Sequence, residues 1–460
     1  MDSYRNFIKD NEKQMLSLLS ELISIPSVMG EATNTFPFGK KTAQALSVIL
    51  NAASQMGFGV TNRDNYYGTV DYIPYGSSEP SLAILCHLDV VPEGKGWTYP
   101  PFSLTEKDGI LYGRGVTDDK GPAVSALFAL YAIKELGVKL SKGVRLIFGT
   151  NEENGSADIE HYLRNEKMPP MVFTPDASYP VINCEKGMAR MSFSAKISNC
   201  DIISIHGGQV INAVPSEAEA VINSKYYDSA KSFIADYNNG CVYSISEQGD
   251  TVSIVTKGES AHASTPENGI NAITGLLQLL CSLDISDKTT AKLLSDIVTL
   301  YPHGETNGNS IGVACEDESG ALTCVLSLID AKDGKLTFST DTRFPRSMSC
   351  DELKNKVNES IGKTDITLSD FSGTEPHYTS PDSFLAKTLL SVYEEETGIK
   401  GECLSIGGGT YVHGISGGVA FGVEHPGKDY RIHGADEYVP LSEFYNNTVM
   451  FAKAIEKICR

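Results

Sequence analysis

The chain has 460 residues, which exceeds one ordinary domain and predicts two compact units. Its composition, 41% hydrophobic and 21% charged, is typical of a folded globular protein. The net charge of −20 comes from 38 basic and 58 acidic residues and argues against binding to nucleic acid or to anionic membranes. An anionic group on a ligand would therefore need a locally placed cation.

The N-terminal 25 residues predict an amphipathic surface helix, because apolar residues recur there at helical spacing: Met15, Leu18, Leu19, Leu22 and Ile23. The segment lacks the apolar core and cleavage site of a signal peptide, and no apolar stretch approaches the roughly 20 residues that span a bilayer. Ten cysteines are scattered without a CxxC pair, which favours buried reduced thiols over disulfides. We therefore expect a cytoplasmic protein without a membrane partner.

Three short apolar runs in the first part of the chain predict buried strands. They are SLAILCHLDVV (81–91), GVRLIFGT (143–150) and MVFTPDA (171–177). The segment 121–137 lies between the first two, has helical length and ends on Gly137, a common helix stop. Strand, helix and strand in this order predict crossover units and a largely parallel sheet.

After about residue 184 polar and apolar residues alternate, as they do in MARMSFSAKIS, EAEAVINS and TVSIVTKG. This alternation predicts half-buried antiparallel strands, and 335–344 returns to it. Segments 269–284 and 350–362 predict helices in the same region. The combination indicates an α+β region that differs in character from the first part.

From about residue 377 helical and strand-like apolar segments resume. We therefore predict a catalytic α/β domain formed by 1–183 and 377–460, with a second domain, 184–376, inserted into it.

Polar residues that could bind a metal follow the three predicted parallel strands, and the active crevice of such a sheet lies at these carboxyl ends. The candidates, including three from GRGVTDDKG and RIHGADE, are His87, Asp89, Asp118, Asp119, Glu152, Glu153, Asp176 and His433. Each alone also fits a strand-end histidine or a solvated acidic turn. Together they match the histidine and carboxylate ligands of zinc, manganese or cobalt.

Asp89 lies two residues after His87, so both side chains point the same way from an extended backbone. Its carboxylate could accept the second imidazole N–H, which would fix the tautomer and raise the ligand's basicity. We therefore interpret Asp89 as part of the catalytic machinery.

Five motifs in order, HLDVVP, GRGVTDDKGP, GTNEENGS, TPDASYPV and HGADE, resemble the signature of the co-catalytic zinc peptidases. That family includes aminoacylases, glutamate carboxypeptidases and desuccinylases, and PDASYPV, DDKGP and the overall length are most similar to the bacterial PepV-type Xaa-dipeptidases. The resemblance implies an α/β zinc-peptidase-like catalytic domain, whose mostly parallel central sheet is flanked by helices, and an inserted α+β lid domain.

The resemblance also implies two divalent metal ions per chain, with zinc preferred over manganese or cobalt. It implies these ligands: His87, Asp118, Asp176, Glu153 and His433, with Asp118 bridging both metals. Glu152 would be the general base for a metal-bridging water, and the Asp118–Asp119 peptide bond would be cis. His425 is a rival for His433, but the HGADE context favours His433.

In the inserted domain the resemblance implies that His262 is a lid histidine that donates a hydrogen bond to the oxyanion. Arg343, in DTRFP, would bind the substrate carboxylate, which suits its planar fork. Asn212, Gly408 and Gly409 would contact substrate. Without the resemblance, His262 also fits an ordinary histidine at a helix start, and Arg343 fits a surface arginine at a strand end. The two glycines also fit an ordinary glycine-rich turn.

The sequence therefore predicts a monomeric metallopeptidase that hydrolyses dipeptides with free amino and carboxyl ends. An N-acyl amino acid deacylase or a carboxypeptidase of the same family is the alternative. A non-catalytic relative would be expected to lack some ligands or the base, yet all are present. Phosphoester hydrolysis would require more cations near the metals than Lys120.

Overall fold

The computed structural model describes residues 3–198 and 201–460. The chain divides into two compact units. The first comprises the residues up to Cys184 together with Tyr378–Leu404 and Gly409–Arg460. The second comprises Glu185–His377 and Ser405–Gly408.

The described residues form α-helices at α1 Ser3–Ile23, α2 Lys40–Gln55, α3 Lys120–Glu135, α4 Ala157–Asn165, α5 Tyr227–Asp236, α6 Ala272–Ser282, α7 Lys288–Leu300, α8 Cys350–Ile361, α9 Phe384–Thr397 and α10 Leu441–Cys459. Short 3-10 helices occur at Glu152–Asn154, Ser224–Tyr226 and Pro266–Asn268. Within the described part of the chain, no helix has the length and apolar character needed to cross a membrane.

The first nine strands in chain order are β1 Gly59–Arg63, β2 Tyr67–Tyr72, β3 Pro80–His87, β4 Thr105–Lys107, β5 Ile110–Tyr112, β6 Gly143–Gly149, β7 Met171–Thr174, β8 Ala177–Ser178 and β9 Val181–Glu185. They are followed by β10 Gly187–Lys196, β11 Ile202–Gly207, β12 Glu217–Asn223, β13 Val242–Gln248, β14 Thr251–Lys257, β15 Glu316–Asp317, β16 Gly320–Ala321, β17 Thr323–Lys332, β18 Lys335–Phe344 and β19 Thr367–Thr374. The last are β20 His377–Tyr378, β21 Cys403–Ile406, β22 Gly418–Ala420, β23 Val423–Glu424 and β24 Tyr438–Pro440.

The main sheet of the first unit has the order β1-β2-β6-β3-β7-β22-β9-β20, with β21 paired to β9. Its centre is parallel, because β3 pairs in parallel with β6 and β7, and β22 pairs in parallel with β7. At one side β2 pairs antiparallel with both β6 and β1, and at the other side β9 runs antiparallel to β22. The predicted α/β class with a mostly parallel central sheet is confirmed, and the antiparallel additions lie toward its edges.

Two helices of the first unit show how the sequence produces this packing. The predicted amphipathic stripe of α1 is buried in the core, which confirms an amphipathic helix at the N-terminus. In α3 nearly every residue from Lys120 to Ile133 is buried, because the helix packs against α1, α10 and β3. A helix covered on all sides is apolar around its whole circumference rather than along one stripe.

Lys120 is the charged exception in this buried helix. Its Nζ donates hydrogen bonds of 2.9 and 2.7 Å to the main-chain oxygens of Leu22 and Ile25, at and just beyond the end of α1. Each carbonyl also accepts one main-chain N–H, Leu22 O from Ile25 and Ile25 O from Ser27. Because a carbonyl oxygen has two lone pairs, each can accept from the buried ammonium as well. The start of α3 is thereby tied to the end of α1.

The second unit contains an eight-stranded sheet of order β13-β14-β12-β11-β17-β18-β10-β19. Its neighbouring strands pair antiparallel, and β18 has the bounds predicted for the strand at 335–344. The helix predicted at 269–284 begins later, at Ala272, because the Asn271 side chain caps it by accepting from Thr274 N. The α+β character predicted for this region is confirmed.

Candidate metal centre

Three neighbouring parallel strands deliver polar residues to one edge of the main sheet. His87 is the last residue of β3 and lies opposite Gly149, the last residue of β6. The 3-10 helix Glu152–Asn154 follows β6, and Asp176 lies two residues after the end of β7. Two predicted strands, 81–91 and 171–177, thus end earlier than expected, and their last residues form loops that carry ligand candidates.

Asp118 lies between the two histidines. Its Oδ1 is 2.9 Å from His87 Nε2, and its Oδ2 is 3.0 Å from His433 Nε2. The same His433 nitrogen is 3.2 Å from Glu153 Oε2, and His87 Nε2 is 3.7 Å from Asp176 Oδ2. One carboxylate therefore has one oxygen directed at each of two histidine-containing groups.

The donor atoms form two overlapping clusters. Ligand atoms of His87, Glu152 and Asp176 lie within 4.8 Å of one another, and so do those of His87, Asp118 and Glu153. The structure thus brings together every residue proposed as a ligand, together with the proposed base. His425 belongs to neither cluster, and its ring packs 5.0 Å from that of Tyr179.

The charges at the site favour a bound cation. In the part of the chain that the structure describes, no lysine or arginine forms an ion pair with Asp118, Glu152, Glu153 or Asp176. Burial, followed by the Asp118 charge, raises the pKa of Asp176 to about 8. Burial, followed by the Asp176 charge, raises the pKa of Glu152 well above its ordinary value. Histidine and carboxylate donors in this number suit a pair of divalent transition-metal ions.

Asp119 follows Asp118 through a cis peptide bond, as the family resemblance implies. Its side chain accepts a 3.0 Å hydrogen bond from the main-chain N–H of His87. This contact joins the end of β3 to the loop that carries Asp118.

Asp89 contacts His87 differently from the prediction. The nearest acceptor of His87 Nδ1 is the main-chain oxygen of Asp89 at 3.0 Å, and the carboxylate oxygen is 3.6 Å away. The carboxylate instead accepts from the main-chain N–H groups of Glu152 and Glu153, both at 3.1 Å. Asp89 therefore orients the imidazole through its backbone and the Glu152–Glu153 turn through its side chain.

Glu437 is a site residue that the sequence reasoning missed. Its fully buried carboxylate accepts hydrogen bonds of 3.0 to 3.2 Å from the main-chain N–H groups of Gly115, Thr117 and Asp118, and pairs with Arg114 Nη1 at 2.8 Å. The residue lies four positions after His433, so one side chain holds the His433 segment against the Asp118 loop. The signal was present in HGADE, where only the histidine was interpreted.

A buried pair formed by Asp158 and Tyr411 was also missed. Asp158 Oδ2 accepts from the main-chain N–H groups of Thr150 and Asn151 at 2.6 and 2.8 Å, and from the Tyr411 hydroxyl at 2.5 Å. The Tyr411 ring also packs edge-on against His87, with the centroids 5.9 Å apart. The pair fixes the turn that precedes Glu152, and no local pattern in the sequence reveals it.

Gly149 makes room for this pair, which gives a stability prediction. A Cβ added there would lie 2.0 Å from the Tyr411 hydroxyl and 2.4 Å from Asp158 Oδ2, so Gly149→Ala must displace a buried, hydrogen-bonded group. We expect a loss of about 1–3 kcal/mol of unfolding free energy in urea denaturation, as for other overpacked sites. Gly59→Ala is the control, because its Cβ would meet nothing closer than 4.0 Å. Equal stability of the two variants would contradict the prediction.

In the second unit, Arg343, the predicted carboxylate anchor, pairs with a carboxylate of its own strand. Its guanidinium is buried and pairs with Asp341, from Nε to Oδ1 at 2.5 Å and from Nη2 to Oδ2 at 3.1 Å, and Nη1 donates to Gly407 O at 3.0 Å. Asp341 and the Gly407 carbonyl thus hold the guanidinium in one orientation. Asp341, two residues earlier on the same strand, was not identified from the sequence.

The other residues predicted to contact substrate are distributed over both units. Asn212 and His262 lie on adjacent segments of the second unit, where Ala263 N donates to Asn212 O at 2.9 Å. Gly408 also belongs to the second unit and has no atom within 4 Å of an added Cβ, whereas Gly409 belongs to the first.

The first unit therefore has the arrangement of a metallohydrolase, with two histidines and four carboxylates at the carboxyl edge of parallel strands. Residues 83–457 match the family described as Peptidase family M20/M25/M40. The match covers most of the chain, so the protein belongs to this family and is a metallopeptidase.

Relatives aligned over nearly the full length agree with this assignment. The chain is 35% identical to "Putative dipeptidase YtjP" of Bacillus subtilis over 454 residues, covering 96% of each sequence. It is 32% identical to "Beta-Ala-Xaa dipeptidase" of Lactobacillus delbrueckii subsp. lactis over 474 residues, covering 100% of this chain and 98% of the relative. The crystal structure of human carnosine dipeptidase 1 shares the fold, with a TM-score of 0.61 at 13% identity over 99% of this chain and 98% of that one.

Proposed function

We propose that the protein is a dipeptidase that cleaves the amide bond of substrates with a free amino and a free carboxyl end. The observation that carries the metallohydrolase chemistry is Asp118, whose two oxygens face His87 and His433. The dipeptide substrate is supported by full-length relatives that are named as dipeptidases.

We assign one metal to His87, Asp118 and Asp176, and a second to Asp118, Glu153 and His433. Zinc is our first choice, and manganese and cobalt suit the same ligands. Two bound divalent ions would lower the pKa of a water molecule and polarise the scissile carbonyl.

Glu152 is the proposed general base. Its carboxylate lies among the His87 and Asp176 donor atoms, and its main-chain N–H is held by Asp89 Oδ1 at 3.1 Å. From this position it takes the proton of the attacking water and delivers it to the leaving amine. Asp89 has a positioning role, because it fixes the turn that carries Glu152.

Residues of the second unit, together with Gly409 of the first, are proposed to bind the rest of the substrate. His262 would donate a hydrogen bond to the oxyanion of the tetrahedral intermediate. Arg343 would bind the free carboxylate with the Nη1 and Nη2 hydrogens that Asp341 and Gly407 leave unused. Asn212, Gly408 and Gly409 would contact the substrate backbone.

Arg343 gives a prediction with a substrate-based control. Arg343→Lys removes the planar fork and its bidentate pairing, so KM for a free dipeptide should rise by roughly 10-fold or more. The same variant should change KM for the C-terminally amidated dipeptide little, because that substrate has no carboxylate. Steady-state kinetics on the matched pair measure both. An equal rise in KM for the two substrates would assign Arg343 a structural role instead.

We also propose a cytoplasmic monomer with a catalytic domain of 1–183 and 377–460 and an inserted lid domain of 184–376. Cys86 and Cys324 support a reducing compartment, since both are free and buried, and burial raises the pKa of each thiol. The eight-stranded sheet of the second unit supports the enlarged lid of a monomer. Light scattering on the purified protein tests the oligomeric state.

One experiment separates dipeptidase activity from the alternatives within the family. Apo-protein is reconstituted separately with zinc, manganese or cobalt and assayed on free, N-acetylated and C-amidated di- and tripeptides. Fast cleavage of free dipeptides alone is the expected result. N-acetylated substrates cleaved as fast as free ones would indicate a deacylase. Preferred release of C-terminal residues from longer peptides would indicate a carboxypeptidase.

A further inference from the structure

We propose that Ser264 is a positioning residue that holds His262 in the tautomer with its hydrogen on Nε2. This inference rests on the proposed role of His262 as the oxyanion donor and names the group that prepares it for that role. A neutral imidazole carries one N–H, so it donates toward the substrate only when the hydrogen is on the nitrogen that faces it.

Two groups of Ser264 converge on the same ring nitrogen. The main-chain N–H of Ser264 donates to His262 Nδ1 at 3.2 Å, and the Ser264 hydroxyl oxygen lies 2.6 Å from that nitrogen. A main-chain N–H has no acceptor capacity, so Nδ1 must be the acceptor in the first contact. If Nδ1 carried a hydrogen, that hydrogen would point at the amide hydrogen of Ser264 and the nitrogen could not accept the bond.

It follows that Nδ1 carries a lone pair and Nε2 carries the hydrogen. The hydroxyl then donates to Nδ1 as well, and its proton shares this lone pair with the amide hydrogen. Both contacts favour one tautomer and one ring orientation. The imidazole is thus pre-organised as a donor at Nε2, which is the property that an oxyanion-binding group requires.

The segment around Ser264 is itself held in place. Ala263 is fully buried, its N–H donates to Asn212 O at 2.9 Å, and its carbonyl accepts from Thr323 Oγ1 at 3.0 Å. Thr265 N donates back to His262 O at 3.0 Å, which closes the turn. The hydroxyl of Ser264 is therefore presented from a fixed backbone although the histidine ring is exposed.

Gly407 connects this turn to the proposed carboxylate anchor. A Cβ added to Gly407 would lie 2.7 Å from Ser264 Cβ, so the glycine packs directly on the serine. The carbonyl of the same glycine accepts from Arg343 Nη1 at 3.0 Å. Gly407→Ala must displace Ser264 or the turn, and we expect it to reduce turnover by disturbing the same hydrogen bond.

Kinetics on the full-length, metal-loaded protein provide the first test. Ser264→Ala removes the hydroxyl and keeps the amide, and we expect kcat to fall roughly 10-fold with KM little changed, since the lost support acts only in the transition state. Ser264→Thr keeps a hydroxyl and should restore most of kcat. Ser260→Ala is the matched control, because it is exposed and lies two residues before His262 instead of two after. An unchanged kcat in Ser264→Ala would overturn the proposal.

Nitrogen NMR of histidine-labelled protein provides the second test, with His262→Gln identifying the resonances. We expect the Nε2–H form of His262 in the original protein and a growing share of the Nδ1–H form in Ser264→Ala. The same tautomer distribution in both proteins would overturn the role of Ser264. A normal kcat in His262→Gln would instead overturn the proposed oxyanion role of His262, and the NMR result would still decide what Ser264 does.

Discussion

Glu152→Gln is expected to lower kcat by a factor on the order of 10³ while leaving metal content unchanged, because general acid–base catalysis typically contributes 10²–10⁴-fold. Glutamine keeps the size of the side chain and the main-chain hydrogen bond to Asp89, but it has no basic oxygen to accept the water proton. The measurement is single-turnover cleavage of a dipeptide, combined with elemental analysis of bound metal on the same sample.

Glu160→Gln is the matched control for this change. It lies eight residues further along the chain on α4, where its side chain is 70% exposed, and it should keep normal turnover. Two outcomes would contradict the mechanism. Retained activity in Glu152→Gln would exclude the residue as base. Loss of metal together with activity would make Glu152 a ligand.

The central sheet was predictable because buried parallel strands have a sequence signature of their own. Short aliphatic runs mark β3, β6 and β7, and the apolar segment between the first two marks α3. Since parallel strands place their carboxyl ends at one edge, the convergence of His87 and Asp176 could be inferred before any geometry was known. The apolar runs and the parallel pairing of these strands agree, so the mostly parallel sheet predicted from the sequence is the one observed.

The antiparallel parts of the first unit were not predicted, and their residues explain why. β1 is exposed or half-exposed along its whole length, so it has no alternation to detect. The sheet of β24, β5 and β4 is built from strands of three residues each, and it pairs segments more than 300 residues apart, such as Tyr438 and Tyr112. Pairing of this kind depends on tertiary context that a sequence window does not contain.

The donor residues could be recognised from the sequence, but the residues that orient them could not. Glu437, Asp158 and Asp341 act through main-chain N–H groups or through a second side chain, so their partners are defined only in three dimensions. Asp89 was predicted as a site residue, but its hydrogen-bond partners were not. Its carboxylate was predicted to accept from the His87 imidazole, yet it accepts from the main chain of the Glu152–Glu153 turn, and the Asp89 backbone oxygen contacts the imidazole.

Glu437→Gln is expected to weaken binding of the metal assigned to Asp118, Glu153 and His433 by about 10–100-fold, the usual cost of losing a group that orients ligands. Within the described part of the chain, all hydrogen-bond partners of the carboxylate are donors: the amides of Gly115, Thr117 and Asp118 and the guanidinium of Arg114. A glutamine therefore places an NH₂ against a donor in either orientation of its amide. Titration of the apo-protein with zinc at buffered concentrations measures the stoichiometry and the affinity of each site.

Asp436→Asn is the control because it alters the neighbouring carboxylate of the same motif. Asp436 accepts from the main-chain N–H groups of Thr98 and Tyr99 at 2.7 and 3.3 Å, and it does not hold the Asp118 loop. We expect this variant to bind two metals normally. In Glu437→Gln the metal assigned to His87, Asp118 and Asp176 should persist at low zinc, because two of its three ligands do not depend on the Asp118 loop. His87 is the last residue of β3, and Asp176 lies two residues after β7. Loss of both metals with equal affinity change would show that Glu437 supports the whole centre rather than the Asp118–His433 side.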